Sequence, residues 1–452
     1  MKAQAYFIIV LFISLTVTMV QSYHADAQPS HSYAFLLVSN NQMGQLGIVR
    51  PNATMSVEYR NLPIPAEWRI PVVQQVSPDG HWIVFIAAAK EGDRRDIRLI
   101  GLYNAISGDM RILPSGQPVG VPGSVQGIVW SPNSRYLGMS LLTEFGSDVY
   151  VYGVDTAEWT NVTNDGWYHP YLAWSPDASQ LATVTQICPI DQPCSWTLEI
   201  VNVVDGSRQT TLDLFALAPA TGGVACELKW SPDGRYLTFA MGCESTIFET
   251  PKDMFIWDRV TGTVENATRF TLDAYDPATP LFLAAEYRTI WRDAETFFIS
   301  AQYAIEPNIV NTATLMYRLP ERELVPLFDD FVEEWAINPV TNQVAARVVE
   351  TSSVRSSLVY RYELPIFVQI LSVYFSDTEQ VVFQNELPNG CDPQWSPDGT
   401  MLAYGQTPTG ICYENDALVF YDVATQATTI YRPVLSDGST PSAIFPIGWI
   451  AR

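Results

Sequence analysis

Positive charge and histidine are what this sequence has least of. Its 452 residues hold 25 Lys+Arg against 48 Asp+Glu, a formal charge of −23, and only 4 His. So acidic a chain opposes the counterion release that drives binding to phosphate backbones and is repelled by anionic membrane surfaces, which excludes nucleic acid as a partner. Apolar residues are not scarce: 47% are hydrophobic, more than a disordered chain carries. No cysteine precedes Cys188, so a lipid-modified cysteine near the start is excluded. Beyond Val20 no apolar run reaches the roughly 18 residues that mark a membrane span, so no insertion is expected after processing. Neither HExxH nor H-x-E occurs, and the G-x-S-x-G elbow, the P-loop and the Rossmann glycine fingerprint are missing as well.

What is present begins with a targeting signal. Met1 and Lys2 precede an apolar run from Ala5 to Val20 and a small-x-small site at Ala25-Asp26-Ala27. Residues 1–27 therefore read as a secretory signal peptide, with an uncleaved anchor as the alternative, and residues 28–452 as the mature chain. Export to the periplasm or the extracellular space is expected, and the even number of cysteines suits such an oxidising compartment. Asn52-Ala53-Thr54, Asn161-Val162-Thr163 and Asn266-Ala267-Thr268 match the N-glycosylation acceptor pattern.

The mature chain is built on a repeat. VSPDGHWIVF from Val76, WSPNSRYLGM from Trp130, WSPDASQLAT from Trp174, WSPDGRYLTF from Trp230 and WSPDGTMLAY from Trp395 are copies of one motif. Weaker copies start at Trp291 and Trp335, a truncated one ends the chain at Trp449, and the spacing averages roughly 53 residues. Proline presets φ for a turn, aspartate bonds the local backbone and glycine takes positive φ without steric cost, while the aromatic closes one strand and packs on a neighbouring unit. Four short strands per unit, without helical periodicity between them, predict an all-β fold: a single β-propeller of four-stranded blades. Eight blades are expected, or seven if the copy at Trp335 or Trp291 is misread. The N-terminal segments Tyr33–Val38, Leu46–Val49 and Met55–Tyr59 lack a preceding motif and the C-terminus lacks following strands, so the two ends should join into one closing blade.

These motifs resemble the PD40 family of WD40-like repeats, the TolB-type propeller, over nearly the whole mature chain. The TolB N-terminal α/β domain and the peptidase domain carried by some relatives have no counterpart here. Family members that are pectin-fragment lyases use a histidine-rich metal site at the channel mouth, which three scattered histidines, His31, His81 and His169, do not match once His24 leaves with the signal peptide. His81 and His169 are expected in loops as ordinary polar residues, and the recurring Asp79, Asp177, Asp233 and Asp398 as turn residues.

Cys226 and Cys391 each stand four residues before a motif tryptophan, with Cys243 and Cys412 following the same tryptophans. Cys226–Cys243 and Cys391–Cys412 are expected as disulfides within single blades, and Cys188–Cys194 as a third across a short loop. Asp329, Asp330, Glu333 and Glu334 precede Trp335, and Glu227 and Asp392 hold comparable places before Trp230 and Trp395. These carboxylates should converge near one end of the central channel, where Ca²⁺ or a basic peptide could be held, solvated loop acids being the alternative. The functional expectation is a non-catalytic binding or scaffold module for a protein or glycan partner at one propeller face. The alternative is an enzyme at the channel mouth: a polysaccharide lyase, lactonase or other hydrolase.

Overall fold

The computed structural model describes residues 31–38, 44–51, 55–62, 72–88, 98–113, 125–142, 146–189, 191, 193–217, 224–242, 253–268, 285–306, 309–328, 331–341, 343–349, 369–375, 382–388, 390–408 and 414–451. The signal peptide expected over residues 1–27 lies outside them.

The described residues form eight four-stranded antiparallel sheets. Seven are built from consecutive strands. Their first strands are Val72–Val76, Val125–Trp130, Leu172–Trp174, Ala225–Trp230, Ala285–Trp291, Phe331–Ile337 and Gly390–Trp395. The degenerate motif at Trp291 closes the first strand of a four-stranded sheet, whereas Trp335 lies inside its strand, which ends at Ile337, so the motif there is displaced by two residues. In the eighth sheet Ala443–Ile450 comes first and is followed by Ser32–Val38, Gly44–Arg50 and Ser56–Asn61, with Tyr33 opposite Trp449. Each first strand touches that of the next sheet, and Ala443–Ile450 touches Val72–Val76, so these contacts run round a cycle.

The turn chemistry anticipated from the motif is present atom by atom. Ser77 Oγ donates to Asp79 Oδ1 and accepts the Trp82 N–H, and Asp79 Oδ1 takes the His81 N–H. Ser131/Asn133, Ser175/Asp177, Ser231/Asp233 and Ser396/Asp398 repeat the pair. The recurring aspartates therefore hold turns. His81 sits in one of them, its Nδ1 3.1 Å from Asp79 Oδ2.

Between sheets, five of the motif tryptophans act as bolts, while the indole N–H of Trp130 and of Trp335 has no such partner. The indole N–H of Trp174 donates to Val129 O at 3.0 Å, that of Trp230 to Ala173 O at 3.0 Å, and that of Trp291 to Lys229 O at 3.2 Å. Trp395 and Trp449 do the same to Ala336 O and Gln394 O, at 3.1 and 3.0 Å. Each bond satisfies a buried donor while its ring fills the space between sheets.

Register identifies equivalent core positions. Two residues past the partners of Trp449, Val76, Trp130, Trp174, Trp230, Trp291, Ile337 and Trp395, the second strands carry Phe35, Phe85, Met139, Thr183, Phe239, Ile299, Ala346 and Tyr404, paired with Gly47, Gly101, Tyr150, Glu199, Phe255, Leu315, Ser372 and Val419. Gly47 and Gly101 lie under the rings of Phe35 and Phe85, which a Cβ at either position would strike. On the second strands the series is apolar in seven sheets and broken in one by Thr183, opposite Glu199; a further buried charge, Arg347, stands one residue beyond Ala346.

A second repeated device locks the outer strands. Asp148, buried at the start of the third strand Ser147–Gly153, accepts from Asn161 Nδ2 and Thr163 Oγ1 beyond the fourth strand. Asp253 accepts from Asn266 Nδ2 at 3.2 Å and Thr268 Oγ1 at 2.6 Å in the corresponding place. Two of the three glycosylation matches are therefore internal clasps, and Asn52 lies outside the described residues.

Candidate functional site

The first polar interruption joins three strands. In Ala225–Trp230, Phe331–Ile337 and Gly390–Trp395 the register slips before the motif tryptophan, between Cys226 and Lys229, Val332 and Glu334, and Cys391 and Gln394. Each slip inserts an extra residue, and a bulge of this kind re-aims side chains. Glu227 and Asp392 take φ of 53° and 55° there, a conformation that costs any residue other than glycine. The expected carboxylates meet only partly. Glu334 Oε2 accepts the Asp392 N–H at 2.7 Å while its Oε1 takes Arg347 Nη1 at 3.0 Å. Glu227 instead faces Arg288, with Oε1 3.7 Å from Nη1. Asp329, Asp330 and the side chain of Glu333 lie outside the described residues.

Asp392 is solvent-exposed and stands beside the Glu334–Arg347 pair. Burial raises its carboxyl, the neighbouring Glu334 charge raises it further, and Arg347 opposes both, leaving it at about 6. A carboxyl that exchanges its proton near neutrality beside an arginine-fixed carboxylate can receive a cationic group or pass a proton.

The second interruption centres on His169, and here the structure departs from the expectation of an ordinary loop residue. His169 is fully buried. Its Nε2 lies 3.0 Å from Asp165 Oδ1 and its Nδ1 3.1 Å from Thr185 Oγ1. Because the carboxylate can only accept, Nε2 carries the proton and Nδ1 accepts from the threonine. Arg208 reaches both Asp165 and Glu199, the latter at 3.0 Å. Burial raises the Asp165 carboxyl, but hydrogen bonds from His169 and Arg208 outweigh it and hold it at about 2.

Asp148, Asp165 and His169 have ligand atoms within 4.8 Å of one another, as a metal site would require. The donors argue otherwise. Asp148 accepts from Asn161, Thr163 and the N–H groups of Asp165 and Gly166, and Asp165 from Trp167 N–H, His169 and Arg208. These lone pairs are already used, so the arrangement fits a self-satisfied polar network better than a cation site. The network escaped sequence reasoning because its members are dispersed between residues 148 and 208. Its one legible signal is Glu199, a charge inside the strand Ser195–Asn202.

The expected Cys188–Cys194 disulfide is present. Cys226 and Cys391 are also disulfide-bonded, and no free cysteine occurs among the described residues. Their expected partners Cys243 and Cys412 lie outside those residues.

No family model matches the sequence, and no curated protein is similar to it. Solved structures do resemble the fold. A structure described as the eukaryotic initiation factor aligns with TM-score 0.50 and 13% identity, covering 92% of this chain and 98% of its own. A puromycin-hydrolyzing peptidase of Mycobacterium tuberculosis aligns with TM-score 0.50 and 12% identity over 82% of this chain, which spans 55% of the peptidase. An oligogalacturonate lyase of Vibrio parahaemolyticus aligns with TM-score 0.44 and 10% identity, covering 90% and 88% of the two chains. At such identities the likeness concerns the fold alone.

Proposed function

We propose that the chain is an exported eight-bladed β-propeller of the PD40 type, closed by its own two ends, that acts as a non-catalytic binding module for a protein or glycan partner. The cycle of contacts between first strands supports the blade count and the closure. The disulfides suit an oxidising compartment, and no helix among the described residues is long and apolar enough to cross a membrane. The pairings Cys226–Cys243 and Cys391–Cys412 belong to this reading.

The observation that carries the binding role is the state of the histidine–carboxylate set around His169. Both nitrogens of His169 and the oxygens of Asp148 and Asp165 are engaged by the protein itself, and His169 is sealed from solvent. Such groups position a loop. They cannot meet a substrate.

A second reading is favoured by one specific feature. Asp392, near 6 and solvent-accessible beside Glu334, has the properties of a general acid at a channel mouth. In that case the module would be a lyase or other hydrolase. The same carboxylates could instead hold Ca²⁺ or a basic side chain.

Product analysis separates these readings. Incubated with neutral and acidic oligosaccharides and a peptide digest, the protein should return every substrate unchanged by mass spectrometry. Product formation that disappears in Asp392→Asn would overturn the binding role and establish the enzyme.

A further inference from the structure

We infer that the outer edge of the strand Thr428–Tyr431 is a docking site for an extended, uncharged or basic segment of a partner protein, which adds there as a fifth strand. The inference deepens the binding-module reading by naming its partner class, and it rests on that reading.

Among the described residues, each of the eight sheets ends on an outermost strand whose free edge is open to pairing with another chain, a hazard that folded proteins suppress with charge, proline, bulges or short length. Seven of these strands carry such a device. Trp159–Asn161 and Val264–Asn266 stop after three residues, where the clasp draws the following threonine to a buried aspartate. Ser56–Asn61 holds Glu58 and Arg60, and Met110–Leu113 holds Arg111. Arg208–Asp213, Glu323–Phe328 and Val382–Pro388 are each paired across a register shift, and the last two also contain proline. Thr428–Tyr431 has no charge, no proline and no bulge, and Thr428, Thr429 and Ile430 are exposed. Arg432 lies just past its end and reaches towards Asp416, at 3.9 Å.

The register shows which backbone groups are left open. Asp422 N–H donates to Ala427 O at 2.9 Å, and beyond that bond Tyr421 lies opposite Thr428, Phe420 opposite Thr429 and Val419 opposite Ile430. Bonded and non-bonded pairs alternate along an antiparallel ladder, so Thr429 and Tyr431 spend their N–H and C=O on the neighbouring strand while Thr428 and Ile430 turn theirs outward. No described strand pairs with that edge. Two N–H and two C=O groups at strand spacing are the complement of another extended backbone. On one face of the strand Tyr431 is taken up by the next sheet, its ring 6.0 Å from that of Phe35 and its hydroxyl 3.4 Å from that of Tyr59. On the other face Ile430 is 49% exposed. A residue bonded opposite Ile430 would place its side chain beside it, and an apolar or β-branched one would take that surface out of water.

Size and charge select the occupant. Four residues make an edge roughly 13 Å long and one strand deep. A stable contact between two folded copies needs roughly 800 Å² per partner and would bring a charge of −23 against −23. A single extended segment needs no more than the edge, taking its affinity from main-chain bonds and its selectivity from alternate side chains. The same net charge disfavours an acidic segment.

The probe is a nine-residue peptide of alternating threonine and valine with a lysine at each end, followed by calorimetry and hydrogen exchange on the full mature chain. It should bind with a dissociation constant below about 1 mM and slow amide exchange over residues 427–432. The same peptide with every amide N-methylated keeps its side chains and charge but loses its donors, and it should not bind. Ile430→Pro removes an outward N–H without breaking a ladder bond, and Ile430→Lys adds a charge of the kind found on other outer strands. Each should weaken binding at least tenfold, with the melting temperature of Ile430→Lys unchanged. The inference is overturned if the peptide does not bind at about 5 mM, if the N-methylated peptide binds equally, if exchange over 427–432 is unchanged, or if binding survives both variants. Dimerisation that Ile430→Lys abolishes would also overturn it, by making a second copy the occupant. Substrate turnover would defeat the binding-module reading by a separate readout, since protection over 427–432 is scored without product.

Discussion

At the scale of single residues, Asp392 is a carboxyl that the fold holds at a cost. Its folded value of about 6 lies above the ordinary 3.8, so between those values the native state binds more protons than the unfolded chain. Stability from this group must therefore fall as pH rises from about 4 to 6 and stay low above that. The full linkage would be roughly 3 kcal/mol, but solvent access screens it to about 1 kcal/mol. Asp392→Asn should raise stability by about that amount at pH 7 and by nothing at pH 4, read from urea denaturation across the range. A variant less stable than the parent at pH 7 would refute the assigned repulsion from Glu334. Sequence pattern placed Asp392, Glu227 and Glu334 before motif tryptophans but could not say which would meet, because that depends on bulges and on Arg347 arriving from another strand. His169 was illegible for the same reason: a histidine before proline looks like a loop residue until Thr185 and Asp165 are brought to its two nitrogens.

At the scale of elements, the clasp of an aspartate by Asn-x-Thr explains how a short outer strand stays attached. The strand Trp159–Asn161 forms only three ladder pairs, so it needs fastening from outside the ladder. Asp148 supplies it by gathering four donors from the segment that follows. Asp148→Ala would leave those donors unpaired and should cost about 2–4 kcal/mol, and Asp253→Ala, which removes the acceptor of Asn266 and Thr268, should cost an amount of the same order. Thermal denaturation ranks them, and an Asp148→Ala loss under 0.5 kcal/mol would show that the clasp is idle. Because Asn161 and Asn266 give their amide N–H to these carboxylates, peptides from protein made in a glycosylating host should carry no glycan at either site. The turns, the strands and the tryptophan bolts were all readable, since each follows from a local motif of fixed spacing. The clasp was not, because its aspartate and its Asn-x-Thr stand 13 to 15 residues apart and matched a better-known signal.

At the scale of the whole molecule, everything depends on the seam between the two ends of the chain. Seven sheets are held by consecutive strands, whereas the eighth survives only because Ser32–Val38 finds Ala443–Ile450 at the far end of the sequence. The core there is substantial: Tyr33 packs edge-on against both Phe420 and Trp449, at 5.5 and 5.3 Å. Ser442 adds two bonds to Val38 O, through its N–H and its hydroxyl. The proposed closed ring should unfold from this seam, where the loop to be closed is longest and its entropy cost greatest. Val38 and Ala443 are opposed in register at the edge of this pairing, so Val38→Cys with Ala443→Cys should oxidise spontaneously. Closing a loop of about 400 residues would add up to roughly 5 kcal/mol by restricting the unfolded chain, and reduction should return the melting temperature to that of Val38→Ser with Ala443→Ser. If the two thiols stay free by mass spectrometry in the native protein, the ends are not paired, and both the closure and the count of eight fall with them.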